Sequence, residues 1–515
     1  MKKVLKGFLK IVFSRTLIVL LMLLGQILVF ISAYFYVYKF FPAIVEVLSL
    51  LDAVFLIIII NRKEPAEFKL TWAILVCLLP VWGGLMFALV ETNWSVVGLR
   101  KKIKKGKECS ENLLTTSAGT KKALERESMS FQHFAYYMEK TSHFPVFHNT
   151  KTTYFPNGAD KFEDLRAELR KAEKYIFLEY FIIDNGQVWD SVLEILKEKA
   201  AQGVDVRVMY DGLCSLLLLT YGYPKKLASF GIKAKMFAPV VPFLSTTQNN
   251  RDHRKIVVID GKVAYTGGVN LADEYANIKE RFGYWKDNGI KIEGRAVKSF
   301  LLMFIQNWNL YGKEDIDYSQ YLAEEEERES FEHDGFVIPY GDTPIVHSEV
   351  GKHVYVDILS HATDYIHIMT PYFIVDREFL SLLTYAGQRG IEVKMILPHI
   401  PDKKYAFWIA RTFYTELLNA GIKIYEFTPG FVHAKMVTSD DRIGTVGTVN
   451  MDYRSFYHHF ECGVVMYENS AIKDMEKDFR DTLEQCQEVT YEYYKSISWF
   501  QRTMGKVLKL FGPLL

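Results

Sequence analysis

Two stretches of the chain carry the same reactive side chains at the same spacing. His253-Arg254-Lys255 is followed by Asp260, and His433-Ala434-Lys435 by Asp440, so H-x-K-x4-D recurs at an offset of 180 residues. Each then reaches a corner of small residues ending in asparagine, Gly267-Gly268-Val269-Asn270 and Gly447-Thr448-Val449-Asn450, again 180 residues apart. One such match is weak evidence; two in register inside a repeat are strong. On a strand, His and Lys at i and i+2 share a face while the residue between them points away. Two copies facing each other would therefore bring His253, His433, Lys255, Lys435, Asn270 and Asn450 into one pocket. That set suits a phosphoryl group: lysines and asparagines spread its charge without a metal, one imidazole attacks phosphorus, and the other protonates the leaving oxygen.

A nucleophilic imidazole needs its far nitrogen held by an acceptor. Trp285-Lys286-Asp287-Asn288-Gly289 and His459-Phe460-Glu461-Cys462-Gly463 match in register, which makes Asp287 and Glu461 the candidates. Asp260 and Asp440, which close the two motifs, are counted with the catalytic residues as supporting groups, a purely structural role being the alternative. His458 and His459 read as incidental. The five cysteines show no metal or disulfide spacing, and no metal-ligand carboxylate cluster is visible, so neither metal nor cofactor is expected.

The elements that position these residues also repeat. Tyr180-Phe181-Ile182-Ile183-Asp184 returns as Tyr372-Phe373-Ile374-Val375-Asp376, Gly203-Val204-Asp205-Val206 as Gly390-Ile391-Glu392-Val393, and Gly231-Ile232-Lys233 as Gly421-Ile422-Lys423. Helical patterns at Phe162–Ala172 and Trp189–Ala201 alternate with short β-branched runs. The expectation is a duplicated α/β domain, with a parallel or mixed sheet in each copy and the two copies facing each other. The expected units are a first domain over 151–320, an acidic linker over 321–345 carrying Glu324 to Glu329, and a second domain over 346–490.

The beginning is different in kind. Thr16 to Tyr38 and Leu70 to Val90 are charge-free and apolar, long enough to span a bilayer, though Pro80, Gly83 and Gly84 also allow the second a kinked or re-entrant form, and Phe40 to Ile60 is apolar but for Glu46 and Asp52. Residues 1–95 thus read as a transmembrane anchor of two to three helices and 96–150 as a basic, polar connector with a helix at Ser128–Lys140. Basic residues flank the anchor on both sides, which suits two crossings and a cytoplasmic catalytic body. The total charge of +1 hides this division: residues 1–107 hold 15 Lys and Arg against 5 Asp and Glu, and the rest 47 against 56. A mildly acidic body argues against a nucleic-acid partner, and 515 residues at 49% hydrophobic exclude a disordered chain.

The paired motifs resemble the phospholipase D superfamily over about residues 150 to 490. With the apolar start, Asn250-Arg251-Asp252-His253-Arg254-Lys255, the segment Asn450 to Ser455 and the closing Phe511-Gly512-Pro513-Leu514-Leu515, the likeness narrows to its bacterial cardiolipin synthases. The resemblance implies transfer of a phosphatidyl group between two phosphatidylglycerols, giving cardiolipin and glycerol through a phosphatidyl-histidine. His253 would be the nucleophile and His433 the acid/base, Lys255, Lys435, Asn270 and Asn450 would hold phosphate, and anionic lipids of the cell membrane would be the partners. Thr448 in place of a second glycine, and three apolar segments rather than two, depart from the usual pattern.

Hydrolysis of phospholipid by the same histidines, and a silent membrane scaffold, are the alternatives. The aromatic stretch Tyr405–Tyr414 suits either an acyl-chain entrance or core. The amphipathic tail, expected over 491–515, suits either a lipid interface or packing on the catalytic body.

Overall fold

The computed structural model describes residues 42–514 apart from 80, 92–93, 111–112, 221, 241–248, 313, 323–330, 332–333 and 347–348, together with scattered positions between 24 and 40. Most of the apolar run Thr16–Tyr38 and the glutamates of the expected linker lie outside the described residues.

The first half contains β1 (Thr150–Phe155), β2 (Tyr175–Tyr180), β3 (Asp205–Asp211), β4 (Lys233–Phe237), β5 (Lys255–Ile259), β6 (Val263–Gly267), β7 (Tyr284–Lys286) and β8 (Gly289–Gly294). Seven of these form a sheet in the order β1-β8-β6-β5-β2-β3-β4. The second half supplies β9 (Phe336–Asp342), β10 (Tyr365–Met369), β11 (Phe373–Ile374), β12 (Glu392–Pro398), β13 (Lys423–Phe427), β14 (Gly430–Val432), β15 (Met436–Ser439), β16 (Ile443–Gly447), β17 (Met451–Asp452), β18 (Glu461–Tyr467) and β19 (Cys486–Glu488). Its sheet runs β9-β18-β16-β15-β10-β12-β13, the same order strand for strand, with β19 added at one edge. In both, β2–β3–β4 and β10–β12–β13 pair in parallel and the motif strands β5 and β15 run antiparallel to their neighbours. The duplicated α/β fold is thus present. β9 lies inside the stretch expected to be linker; its seven buried residues pair with β18 along their whole length, which makes it sheet rather than connector.

The two halves share one core. Helix Val297–Leu310 is buried on nearly every face, and its Phe300, Met303 and Phe304 belong to the same cluster as Val337, Met436 and Val464 of the second half. Strand periodicity explains why the motif strands are buried at all five residues in β5 and all four in β15: each is covered on both faces.

Sequence periodicity also placed the flanking helices closely, at Gly158–Lys171 and Gln187–Ala201, and a helix Met129–Lys140 capped by Ser128, whose hydroxyl accepts from Phe131 N. The apolar segment Leu70–Val90 departs from the single-span reading and takes the broken form that is its alternative. It is two helices, Ala66–Leu78 and Trp82–Glu91, and among the described residues no helix is long and apolar enough to cross a membrane. Pro80 removes the amide a continuing helix needs, and Val81 N instead donates to Asp52 Oδ2 at 2.6 Å, which gives that carboxylate its partner in helix Pro42–Ile60. Phe68 of the first of these helices packs on Tyr453, Tyr457 and His458 of the second half, and Thr71 Oγ1 donates to Leu510 O. The tail helix Trp499–Lys509 combines the two expectations. Gly505 fits against Trp408 O, where a Cβ would sit 2.3 Å away, while Trp499, Phe500, Val507 and Leu510 remain exposed. The aromatic stretch before the second motif folds as Lys404–Arg411 and Tyr414–Asn419, with Ala406, Ile409, Phe413 and Tyr414 in the core.

Candidate active site

Backbone pairing between the halves builds the site. His253 N donates to Phe460 O at 2.9 Å, in an isolated bridge between Asp252 and Phe460. His433 N donates to Lys286 O at 2.6 Å, where β14 pairs in parallel with β7. Each histidine is therefore stitched to the segment that leads into the acid of the other copy. The acids follow suit: His253 Nδ1 lies 3.0 and 2.9 Å from the two carboxylate oxygens of Glu461, and His433 Nδ1 lies 2.7 Å from Asp287 Oδ2. Asp287 and Glu461 do meet the two motif histidines, but crosswise.

Both imidazoles are almost fully buried. Burial first, and the Lys435 charge second, push His433 down to about 4 despite Asp287; burial likewise holds His253 well below its ordinary value despite Glu461. Burial works against the ionised form of both acids, but His253 holds Glu461, and His433 holds Asp287, below the usual carboxylate range. The lysines lie beneath the histidines. Lys255 Nζ donates to His253 O at 2.5 Å, Lys435 Nζ donates to His433 O, and burial lowers them to about 8 and about 7. Around neutral pH the site thus holds two neutral imidazoles, two carboxylates and two lysines near the edge of deprotonation.

The corners differ between the copies. Gly268 is obligatory: a Cβ there would lie 2.0 Å from Asp287 Oδ1. Thr448, its counterpart, donates its hydroxyl to Glu461 Oε2, and its N bonds Cys462 O at 2.8 Å. Asn270 is engaged by the fold, accepting from Ile182 N at 3.1 Å and donating to Tyr275 OH at 2.8 Å, whereas Asn450 Oδ1 is buried without a partner. Arg254, the residue between His253 and Lys255, points away as alternation requires, and binds Glu461 O at 3.1 Å and Asp342 O at 3.0 Å.

Asp260 and Asp440 are not at the site. They sit at the far ends of β5 and β15, about 15 Å of strand beyond the lysines, with φ of 53° and 57°. Asp260 accepts from the backbone N–H groups of Glu173, Lys174 and Tyr175, and Asp440 from those of Thr363, Asp364 and Tyr365. Both hold the turn into the neighbouring strand. A catalytic place for them is corrected by that geometry.

Sequence reasoning passed over the walls and one histidine. Phe181 meets the His253 ring edge-on at 5.2 Å, and Tyr275 meets that of His433 at 5.4 Å, with Trp285 and Phe431 at 5.3 and 5.8 Å. His459 lies 5.3 Å from His253, ring to ring, and its Nδ1 is 3.4 Å from Glu461 Oε1. It occupies the register position of Trp285, and that alignment was the available signal.

The family model described as "Cardiolipin synthase, PLD-like domain" matches residues 165–296 and 355–483. The chain is 34% identical to a cardiolipin synthase of Geobacillus kaustophilus, covering 89% of this chain and 91% of that one, and 32% identical to one of Halalkalibacterium halodurans, covering 91% and 93%. It is 46% identical to an uncharacterized protein of Streptococcus mutans over 89% of this chain and 98% of that one. The crystal structure of a phosphatidylserine synthase of Haemophilus influenzae superposes with a TM-score of 0.54 at 15% identity, covering 75% of this chain and 96% of that one, a likeness of fold.

Proposed function

We propose that this chain, which belongs to the phospholipase D-like cardiolipin synthase family, is a phosphatidyltransferase that joins two phosphatidylglycerols into cardiolipin and releases glycerol. The observation that carries the reading is the crossed pair His253–Glu461 and His433–Asp287. With Nδ1–H donated to a carboxylate, each neutral imidazole keeps its lone pair on Nε2, as a nucleophile or a general base requires.

In the first step Nε2 of His253 attacks the phosphorus of a bound phosphatidylglycerol. The bond to the headgroup glycerol oxygen breaks, and His433, protonated as the anionic substrate binds, gives that oxygen its proton. In the second step His433 takes the proton from a hydroxyl of a second phosphatidylglycerol, whose oxygen displaces His253. Lys255 and Lys435 offset the negative charge that the phosphoryl oxygens develop, and Asn450, whose carboxamide oxygen is buried without a partner, can accept from a substrate hydroxyl, whereas Asn270 is tied into the fold. Buried aromatic walls favour an alcohol positioned at the intermediate over free water. The apolar start supports a membrane location, with a multi-pass anchor and a cytoplasmic catalytic body as its finer form.

Reconstituting the full chain in vesicles of phosphatidylglycerol and identifying the products tests this. Cardiolipin and glycerol in equal amounts are expected. Phosphatidic acid as the sole lipid product would replace transfer by hydrolysis.

A further inference from the structure

His459 does not enter the reaction just described, yet it is placed like a ligand. It is 7% exposed; its Nδ1 stands 3.4 Å from Glu461 Oε1, too poorly aligned for a good hydrogen bond, and its Nε2 has no hydrogen-bond partner. A buried polar group left so costs about 1–3 kcal/mol unless something binds it. One nitrogen or carboxylate oxygen from each of His253, His459 and Glu461 lies within 4.8 Å of the others, all three residues buried. The other half of the site has no such set, because the register position of His459 is filled by Trp285, whose indole Nε1 donates to Asp287 Oδ2 at 3.4 Å and cannot ligate.

We propose that His253, His459 and Glu461 form a binding site for a first-row transition cation such as Zn2+, and that the bound ion switches the enzyme off. Two imidazoles and a carboxylate are a borderline-soft donor set that suits Zn2+ and does not suit Mg2+. Metal–ligand bonds of about 2.0–2.2 Å put neighbouring donors roughly 3.3 Å apart; His459 Nδ1 already lies 3.4 Å from Glu461 Oε1, and the three donors, within 4.8 Å of one another, would have to draw together around the ion. The ion replaces the Nδ1 proton that His253 donates to Glu461, and the single proton of the ring moves to Nε2. Nε2 then has no lone pair for phosphorus. The block acts from behind the histidine, without occupying the phosphate pocket, so it lowers kcat and leaves KM for lipid nearly unchanged. The inhibitory half of the proposal rests on the transfer reading above; the binding half does not.

The test uses the full chain in vesicles, with Zn2+ and Mg2+ as probes. Zn2+ is expected to inhibit transfer reversibly, with a chelator restoring it, while Mg2+ at the same free concentration does not. His459→Asn is expected to keep most of its activity and to need about tenfold or more Zn2+ for the same inhibition. Direct titration in detergent reads binding apart from activity: one Zn2+ per chain, kept in His433→Asn and weakened in Glu461→Gln and His459→Asn. Failure of the chain to bind Zn2+, equal inhibition by Mg2+, or unchanged Zn2+ binding in His459→Asn would each overturn the site. Binding without inhibition would keep the site and sink His253 as a reacting group.

Discussion

The two halves of the active site descend from one pattern and are braced in opposite ways. Glu461 reaches His253 with a long side chain and is itself held by the Thr448 hydroxyl, with His459 beside it. Asp287 reaches His433 with a short one and is held by groups that do not titrate, the Trp285 indole and the Asn288 amide at 2.9 Å. Room explains the difference. At the first corner Gly268 leaves space for Asp287, and at the second Thr448 takes the space and returns a hydrogen bond. The lesson is that a repeated motif fixes the reacting groups, while their supports are free to diverge so long as each histidine keeps an acceptor on Nδ1.

The harshest way to probe the comparison is to remove the reacting groups. His253→Ala and His433→Ala are each expected to cut transfer by about a thousandfold or more, read as cardiolipin formed per unit time. If the halves have separate roles, a radiolabelled phosphatidyl group will remain on protein only in a variant that keeps its nucleophile. Next come the crossed acids: Asp287→Asn and Glu461→Gln are each expected to lower kcat by about a hundredfold to ten-thousandfold with KM little changed, because the wrong tautomer faces phosphorus. A silent Glu461→Gln would break the crossed pairing.

Exchanging the corners sharpens the asymmetry. Gly268→Thr forces a Cβ onto Asp287 Oδ1 and is expected to be nearly inactive, whereas Thr448→Gly loses the hydroxyl that donates to Glu461 and accepts from Cys462 N, costing about 1–3 kcal/mol, or roughly fivefold to 150-fold in rate. Equal losses would mean the corners are interchangeable.

Smaller still is a shift with pH. As pH rises through about 7 and then about 8, Lys435 and then Lys255 lose the charge that the proposed mechanism sets against phosphate, so kcat/KM is expected to fall over that range. Lys435→Arg, which stays charged, is expected to move the first part of that limb upward if it folds with the same KM at pH 6. The smallest effect on turnover belongs to Asp260→Asn and Asp440→Asn: kcat unchanged, and stability lowered by about 1–3 kcal/mol as read by denaturant midpoint.

Much of this was legible in the chain. Strand alternation put His and Lys on one face and Arg254 on the other, and the duplicated strand order follows from the duplicated G-I/V-x-V runs. Asp287 and Glu461 could be picked out by register, but their exchange between copies could not, because it depends on the backbone bonds His253–Phe460 and His433–Lys286 across 207 and 147 residues. Asp260 and Asp440 misled because nearness along a strand is not nearness in space: five residues of extended chain carry them to the opposite end of the sheet. In the anchor, proline and glycine marked where Leu70–Val90 can break, but hydropathy could not show that Val81, with a positive φ of 69°, bonds to Asp52 there.

The crossed pairing has a consequence for how the protein is made. A ribosome that has finished the first sheet has exposed His253, Lys255 and Asn270 to a membrane full of phosphodiesters, but the carboxylate that readies His253 lies some two hundred codons ahead. On the proposed mechanism the nascent half is expected to stay inert until Glu461 emerges and docks, and so is any fragment left by proteolysis between the halves. The arrangement is a built-in interlock: lipid-cleaving power comes into being only when the whole catalytic body is complete.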